Sequence, residues 1–344
     1  MLKKLIILIT LITSLSLLLI GCTPKSQSIK SKNLNKLTVA EVTHSVFYAP
    51  QYAAITQGFF EEEGIELDLI NTQGADKTMA ALLSGEADIG LMGPEASIYV
   101  YNKGNSNYAV NFAQLTQKDG SFLVARENTD SFSFEDLKGK EVLGGRKGGV
   151  PEMTLEYVMK KNGLTIGTDT QNDKVNVRTD IQFNVMSGAF AGGEGDYVVL
   201  FEPSALELEK QGKGYVVASI GKESGLIPYT AYSAPVNYIK ENKDTIQSFT
   251  NAVYKGQVWV QNNSAEDIAN AIEPFFTDFN KEDLISVINR YKSIDAWSHT
   301  PILDEESLNL LMDVMEEAGE LDKRAPYDKI VDTSFAKESI KNKK

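Results

Sequence analysis

Ala87-Asp88-Ile89-Gly90-Leu91-Met92-Gly93-Pro94-Glu95-Ala96-Ser97-Ile98 passes from an apolar run, through a glycine and a proline, into residues with helical spacing. Ala87–Met92 reads as a short buried strand and Glu95–Asn102 as the helix that follows it. Pro94 suits the opening of that helix, because the N–H it lacks would have no intrahelical partner there. A strand ending in a proline-led helix is the repeating unit of an α/β sheet.

The same junction occurs at Ala49-Pro50, Val150-Pro151 and Glu202-Pro203. Proline is a common helix starter, which accounts for any one of the four. Four of them, with polar or aromatic residues just ahead of the proline, point to shared geometry. Ligands of open α/β sheets sit beyond the carboxyl ends of the strands, facing helix N-termini. Two junctions fall in each half of the chain, so two lobes presenting such ends would enclose a cleft. Around them the pattern predicts strands at Leu37–Thr43, Ile65–Asn71, Tyr108–Gln117, Ser121–Arg126, Glu141–Leu143, Lys174–Arg178, Tyr197–Phe201, Tyr215–Ile220 and Tyr229–Ser233. Helices are predicted at Pro50–Glu62, Ala75–Ser84, Pro151–Lys161, Ile181–Gly188 and Ser204–Glu209. The chain after Asn237 is mostly helical.

The amino terminus is of another kind. Lys3 and Lys4 precede a nearly continuous apolar run, Leu5–Ile20, which ends in Gly21-Cys22. Positive region, apolar core and small-residue junction make a secretory signal, and a cysteine there is a site for a diacylglycerol anchor. The alternative, a membrane-spanning helix, leaves unexplained why the chain's single cysteine sits at that point. That solitude also removes disulfides, cysteine-ligated zinc and a thiol nucleophile from the body. Residues 23–36 are Ser, Lys, Asn, Gln and Pro in composition, a tether. The formal charge is −13, and losing Lys3 and Lys4 with the signal makes it −15. So acidic a body is unsuited to nucleic acid, and attachment to a membrane falls to the lipid on Cys22.

Candidate binding residues cluster at the junctions. Phe47 and Tyr48 offer rings for a planar ligand, or pack the loop against the core. Gly93 permits close backbone approach, and Glu95 sits in a first helical turn, where the helix dipole favours a carboxylate with or without a ligand. Gly144-Gly145-Arg146-Lys147-Gly148-Gly149 resembles an anion cradle, or is simply a tight turn; it lacks P-loop spacing. Glu202 stands at a strand tip, placed for a ligand bearing N–H donors or for a salt bridge closing the lobes. Gln117 ends a strand near the expected crossing. Of Tyr229 and Tyr232, one is expected at the ligand and the other in the core. No G-x-S-x-G or H-E-x-x-H motif occurs, and two histidines are too few for a histidine metal site or common triads; no catalytic residue, metal or cofactor is assigned.

Tyr48-Ala49-Pro50 with Gly58-Phe59-Phe60, then Gly64-Ile65-Glu66-Leu67, then Leu83-Ser84-Gly85-Glu86-Ala87-Asp88-Ile89-Gly90 resemble the NMT1/THI5-like binding proteins of ABC importers. That subgroup is associated with nitrate, alkanesulfonates, taurine and thiamine-pyrimidine precursors. The resemblance implies a two-lobed, type II periplasmic-binding-protein fold hinged on two crossing strands, near Leu123–Arg126 and Ile227–Ser233. It divides the chain into a signal peptide (1–22), a tether (23–36), a first lobe (37–126 with 228–344) and a second lobe (127–227). It also implies a monomer that works outside the cytoplasm, anchored to the cell membrane, with a permease and its ATPase as partners. Carboxylates with aromatics favour an amino-bearing aromatic N-heterocycle, such as a thiamine pyrimidine precursor. Arg146 and Lys147 keep a sulfonate, nitrate or other anion as the alternative. A pyrimidine-synthesising enzyme of the same superfamily is the third reading, against which stands the absence of a cysteine cluster.

Overall fold

The computed structural model describes residues 34–129, 131–168 and 173–342. The signal, Cys22 and nearly all of the tether lie outside the described residues.

Among the described residues, ten strands form two five-stranded sheets. β1 (Asn35–Glu41), β2 (Ile65–Asn71), β3 (Ile89–Met92), β4 (Ala109–Thr116) and β10 (Thr230–Pro235) make the first, in the order β2-β1-β3-β10-β4. β5 (Ser121–Ala125), β6 (Glu141–Leu143), β7 (Asn176–Arg178), β8 (Tyr197–Phe201) and β9 (Tyr215–Ser219) make the second, in the order β7-β6-β8-β5-β9. In each sheet one strand runs against its neighbours: β10 is antiparallel to β3 and β4, and β5 to β8 and β9. These are the strands by which the chain enters or re-enters a lobe, so both crossings lie at the facing ends of the sheets.

Most elements match the sequence pattern closely. Ile65–Asn71, Ala75–Ser84, Glu95–Asn102, Glu141–Leu143 and Tyr197–Phe201 begin and end where periodicity places them. Three boundaries move. β1 starts at Asn35, because Asn35–Glu41 pairs in register with Ile65–Asn71 and takes the last tether residues into the sheet. The helix expected over Pro50–Glu62 breaks into Ala49–Thr56 and Phe59–Glu62 at Gly58, whose φ of 75° leaves the helical region. The first crossing falls between Thr116 and Ser121, upstream of Leu123–Arg126. Leu123 and Val124 are fully buried strand residues paired to β8 and β9, and so belong to the second sheet.

The carboxyl-terminal helices return to the first sheet. The Lys243–Asn262 helix buries Ile246, Phe249, Val253 and Val260, against the Ala49–Thr56 helix and β4. The segment after the Lys281–Ser293 helix runs beside β4, where Ser298 donates its N–H to the Leu115 carbonyl at 3.0 Å and Gln114 donates to Pro301 at 2.9 Å.

The first crossing packs against the helix that follows β9. A Cβ on Gly221, at the start of the Ile220–Ser224 helix, would lie 2.0 Å from the Asp119 carbonyl oxygen. Backbone cannot yield there without moving a crossing, so Gly221→Ala is expected to cost about 1–3 kcal/mol of stability, the range of overpacked sites. A denaturant melt matching the unmodified protein would show that the crossing has room to shift.

Candidate functional site at the meeting of the lobes

The loop after β1 carries Ser45, Phe47 and Tyr48 to the second lobe. Ser45 Oγ donates to the Glu202 carbonyl at 2.7 Å and accepts the Phe47 N–H at 3.1 Å, which caps the short turn Val46–Tyr48. Phe47 is 1% exposed and its ring lies 5.3–5.8 Å from those of Tyr48, Phe201, Tyr229 and Tyr291. Trp297 Nε1 donates to its carbonyl at 2.9 Å. Phe47 is thus the centre of an aromatic cluster shared by both lobes, the core-packing alternative of its sequence reading. Tyr48 beside it is equally buried; burial, then the charges of Glu41 and Glu95, raise its hydroxyl far above the ordinary tyrosine range.

Glu95 opens the Glu95–Asn102 helix. Its carboxylate folds back over Gly93, where a Cβ would meet Oε2 at 1.9 Å, so glycine there makes the room. Burial pushes the carboxyl up to about 7, against the partial pull of the backbone amides of Glu95, Ala96 and Val150. Val150 begins the Val150–Lys161 helix of the second lobe, so a first-lobe carboxylate meets a second-lobe helix start. Glu95 Oε2 has no hydrogen-bond partner, nor has Thr154 Oγ1, one turn along that helix.

Asp119 lies on the first crossing. The Ser121 N–H donates to Oδ1 at 2.6 Å, yet burial still raises the carboxyl to about 7. Its Oδ2 has no partner. The hydroxyls of Ser121 and Tyr229 sit beside the Asp119 carboxylate and partly offset the effect of burial, though no hydrogen bond of ordinary geometry closes to either hydroxyl among the described residues. Tyr229, just ahead of β10, feels the charges of both Asp119 and Glu95. Two buried carboxylates, one on the Glu95–Asn102 helix and one on the first crossing, therefore act on one tyrosine. Buried polar atoms are almost always paired; this surface leaves five unpaired.

The other expected residues do different work. Glu202 is 1% exposed, but Oε1 is paired with Arg290 and Oε2 accepts the Leu206 N–H at 2.9 Å. Its N–H donates to the Tyr291 hydroxyl at 3.0 Å. Burial raises its carboxyl, with Arg290 opposing. The carboxylate, expected at the ligand, is paired across the lobes with Arg290. Tyr232 donates to Gln51 Oε1 at 2.9 Å, and Gln51 and Tyr52 donate to Glu41 Oε2, each at 3.0 Å. That network is internal to the first lobe, so Tyr229 is the tyrosine at the meeting surface. Gln117 lies on the outer side of the hinge, donating to Asp295 Oδ2 at 2.9 Å.

The glycine loop after β6 is also engaged internally. Gly148 N–H donates to Glu152 Oε2 at 3.1 Å, so the anion in the cradle is the protein's own carboxylate. Arg146 pairs with Asp76 and Lys147 lies 3.5 Å from Glu320, both across the lobes. Tyr99 of the first lobe donates to the Gly148 carbonyl at 3.0 Å. The loop is an interlobe latch.

Residues 46–266 match the model of the family described as NMT1/THI5 like. The chain belongs to that family. Its matched span holds both crossings and all five residues that carry the unpaired atoms, Glu95, Asp119, Ser121, Thr154 and Tyr229. Among relatives, a provisionally named binding protein of Bacillus subtilis (strain 168), YtlA, is 46% identical over 314 residues, covering 91% of this chain and 92% of YtlA. The 4-amino-5-hydroxymethyl-2-methylpyrimidine phosphate synthase of Schizosaccharomyces pombe is 26% identical over 150 residues, 43% of this chain and 41% of that one. Among solved structures, the alkanesulfonate-binding protein SsuA from Xanthomonas axonopodis pv. citri, bound to MOPS, superimposes with a TM-score of 0.67 at 14% identity. It covers 87% of this chain and 97% of its own. The two-lobed periplasmic-binding-protein fold of the family is the fold of this chain.

Asp119, Ser121 and Thr154 were not singled out by sequence reasoning. Asp119 stands in Gln117-Lys118-Asp119-Gly120, which reads as an ordinary polar turn. Only its place on the crossing, once the crossing moves upstream, brings it to the meeting surface. Arg290 and Tyr291 lie on a helix far along the chain and carry no local signal.

Proposed function

We propose that this protein is the solute-binding component of an ABC importer and that it captures an aromatic N-heterocycle bearing amino groups, of the thiamine-pyrimidine class. The supporting observation is the pair of buried carboxylates, Glu95 and Asp119, each with an oxygen that makes no hydrogen bond of ordinary geometry among the described residues. A ligand bringing N–H donors on two edges would satisfy both, while Tyr48 and Tyr229 supply rings and hydroxyls. A sulfonate or nitrate would add negative charge to the carboxylates, and the nearby cations Arg146 and Arg290 are already paired. The pyrimidine named for the Schizosaccharomyces pombe relative has the chemistry this surface lacks. Capture and release, not turnover, is the proposed activity. Anchoring through a lipid on Cys22 would keep the body beside its permease; detergent phase partitioning of the expressed chain, lost in Cys22→Ala, tests that part.

The ligand class is tested by calorimetry with 4-amino-5-hydroxymethyl-2-methylpyrimidine, an alkanesulfonate and nitrate, at pH values near 6 and near 8. Both carboxyls titrate at about 7. Acceptors for N–H groups are stronger when ionised, so pyrimidine affinity is expected to rise with pH across that window. An anion would prefer the protonated carboxyls and weaken instead. Binding of sulfonate or nitrate alone would overturn the assignment.

A further inference from the structure

His44 immediately precedes the loop that carries Ser45, Phe47 and Tyr48 to the second lobe, and both of its ring nitrogens face acceptors. Nδ1 lies 3.0 Å from Glu41 Oε1 at the end of β1. Nε2 lies 2.8 Å from the Phe275 carbonyl, in the turn Glu273–Phe275 that follows the Ala265–Ile272 helix. A neutral imidazole carries one N–H, so it can donate to one of these oxygens and must turn a lone pair toward the other. The Tyr52 hydroxyl, 3.1 Å from Nδ1, could donate to a neutral ring, but only by giving up its bond to Glu41 Oε2 at 3.0 Å. The imidazolium satisfies every partner at once. Nδ1–H donates to Oε1 and Nε2–H to the carbonyl, while Gln51 and Tyr52 both donate to Oε2.

The surroundings favour the same form. Glu41 is 2% exposed, and His44 is its one ion-pair partner among the described residues; a buried carboxylate without a counter-charge is costly. The ring stacks on Phe276, with centroids 4.8 Å apart and planes at 25°, an arrangement that suits a cation. From the Ala49–Thr56 helix the facing group is Tyr52, whose hydroxyl burial and the charge of Glu41 raise well above its ordinary value. From the turn it is the Phe275 carbonyl, and the turn's own carboxylate, Glu273, is exposed. The bond to Glu41, opposed by burial and helped by the Phe275 carbonyl, raises the imidazole from its ordinary value. The side chain is 38% exposed, so its proton exchanges with solvent.

The ring thus ties β1 to the carboxyl-terminal helices at the root of the loop whose Ser45 donates to the Glu202 carbonyl across the lobes. We propose that His44 is a proton-operated positioning residue: as an imidazolium it fixes the root of that loop, and on losing its proton it releases one of its two partners and lets the loop shift. This rests on the meeting surface being the binding site, but not on the class of ligand. A histidine raised in the folded protein contributes stability that is complete below its unfolded value, about 6.5. That contribution is lost as pH rises through the folded value. The loop is therefore held in mild acid and loosened in mild alkali.

The chain carries its own reporters. His44 and His299 are its only histidines, and Trp259 and Trp297 its only tryptophans. Trp297 Nε1 donates to the Phe47 carbonyl, so its emission follows the loop. The protein is titrated without ligand in a His299→Asn, Trp259→Phe background, which leaves one imidazole and one indole. Nitrogen NMR of the His44 ring is expected to show both nitrogens protonated in mild acid and a midpoint above about 6.5. Trp297 emission is expected to change with the same midpoint. His44→Gln keeps one donor and one acceptor but cannot titrate, and is expected to remove that change. Asp119 titrates in a nearby range, so the quantity read is the difference between the emission curves with and without His44. A His44 midpoint at or below about 6.5 would overturn the proposal, and the NMR titration needs no substitution at His44 itself. An emission difference that stays flat through the His44 midpoint would overturn it equally. Neither readout uses a ligand, so a failure here is distinct from a failure of the proposed ligand class.

Discussion

Replacing Arg290 by alanine is expected to destabilise the closed protein by about 2–4 kcal/mol, because it strands a buried carboxylate without its counter-charge. Arg290 pairs with Glu202 and Glu209 at once, and Glu202 has no exposed side-chain surface. The guanidinium itself is partly exposed, which holds the figure below that of a fully buried pair. Two features make the result specific. Glu202 is already pushed up by burial, so in the variant it can take a proton, and the loss should be smaller in mild acid than in mild alkali. Arg290 belongs to the Lys281–Ser293 helix of the first lobe and Glu202 to the end of β8, so opening the lobes also relieves the strain. Small-angle scattering should therefore show an expanded ligand-free protein, and every ligand should bind more weakly by a similar factor. Adding Glu202→Gln to Arg290→Ala is expected to restore most of the stability. If the single variant melts within about 0.5 kcal/mol of the unmodified protein, a typical surface substitution, the pair is not what closes the lobes.

This pair also shows where sequence reading stops. The strand–proline–helix junctions were legible because each is local: the strand, the proline and the helix lie within about a dozen residues, and the physics of the turn is contained in them. Glu95 and Tyr48 were singled out that way. Glu202 was placed at the right strand tip, but its occupation depends on Arg290, which is 88 residues away. The glycine loop at 144–149 had the composition of an anion cradle, and the carboxylate that fills it, Glu152, is a first-turn helix residue that reads as ordinary dipole complementation. Asp119 was lost because the crossing was expected a few residues too late. Val124 and its neighbours form a plain buried strand, and no local feature says to which sheet a strand belongs. Long-range pairing, not residue chemistry, decided each of these.

Glu95→Gln and Asp119→Asn are each expected to lower affinity for an aminopyrimidine on the order of a hundredfold, as removing one partner of a buried charge-assisted contact does. The amides keep the shape and can still accept one hydrogen bond, so what is lost is the charge. Their effect on the ligand-free protein should have the opposite sign at alkaline pH. A carboxyl whose folded value is raised stabilises the protein fully below its unfolded value, near 4, and loses that contribution as pH rises through about 7. Above that window the empty protein holds two ionised carboxylates away from water, each costing about 3–4 kcal/mol. Removing either charge should raise the ligand-free melting temperature at pH near 8 and leave it nearly unchanged near 5. The same two residues would thus make the empty closed form unfavourable and the filled form favourable, which is what a protein that must close on its ligand and open without it requires. The combination to measure is affinity and ligand-free melting temperature for each variant at both pH values. Weakened binding together with a lowered alkaline melting temperature would assign these carboxylates a structural role in place of recognition, since a structural carboxylate is missed by the empty protein as much as by the full one.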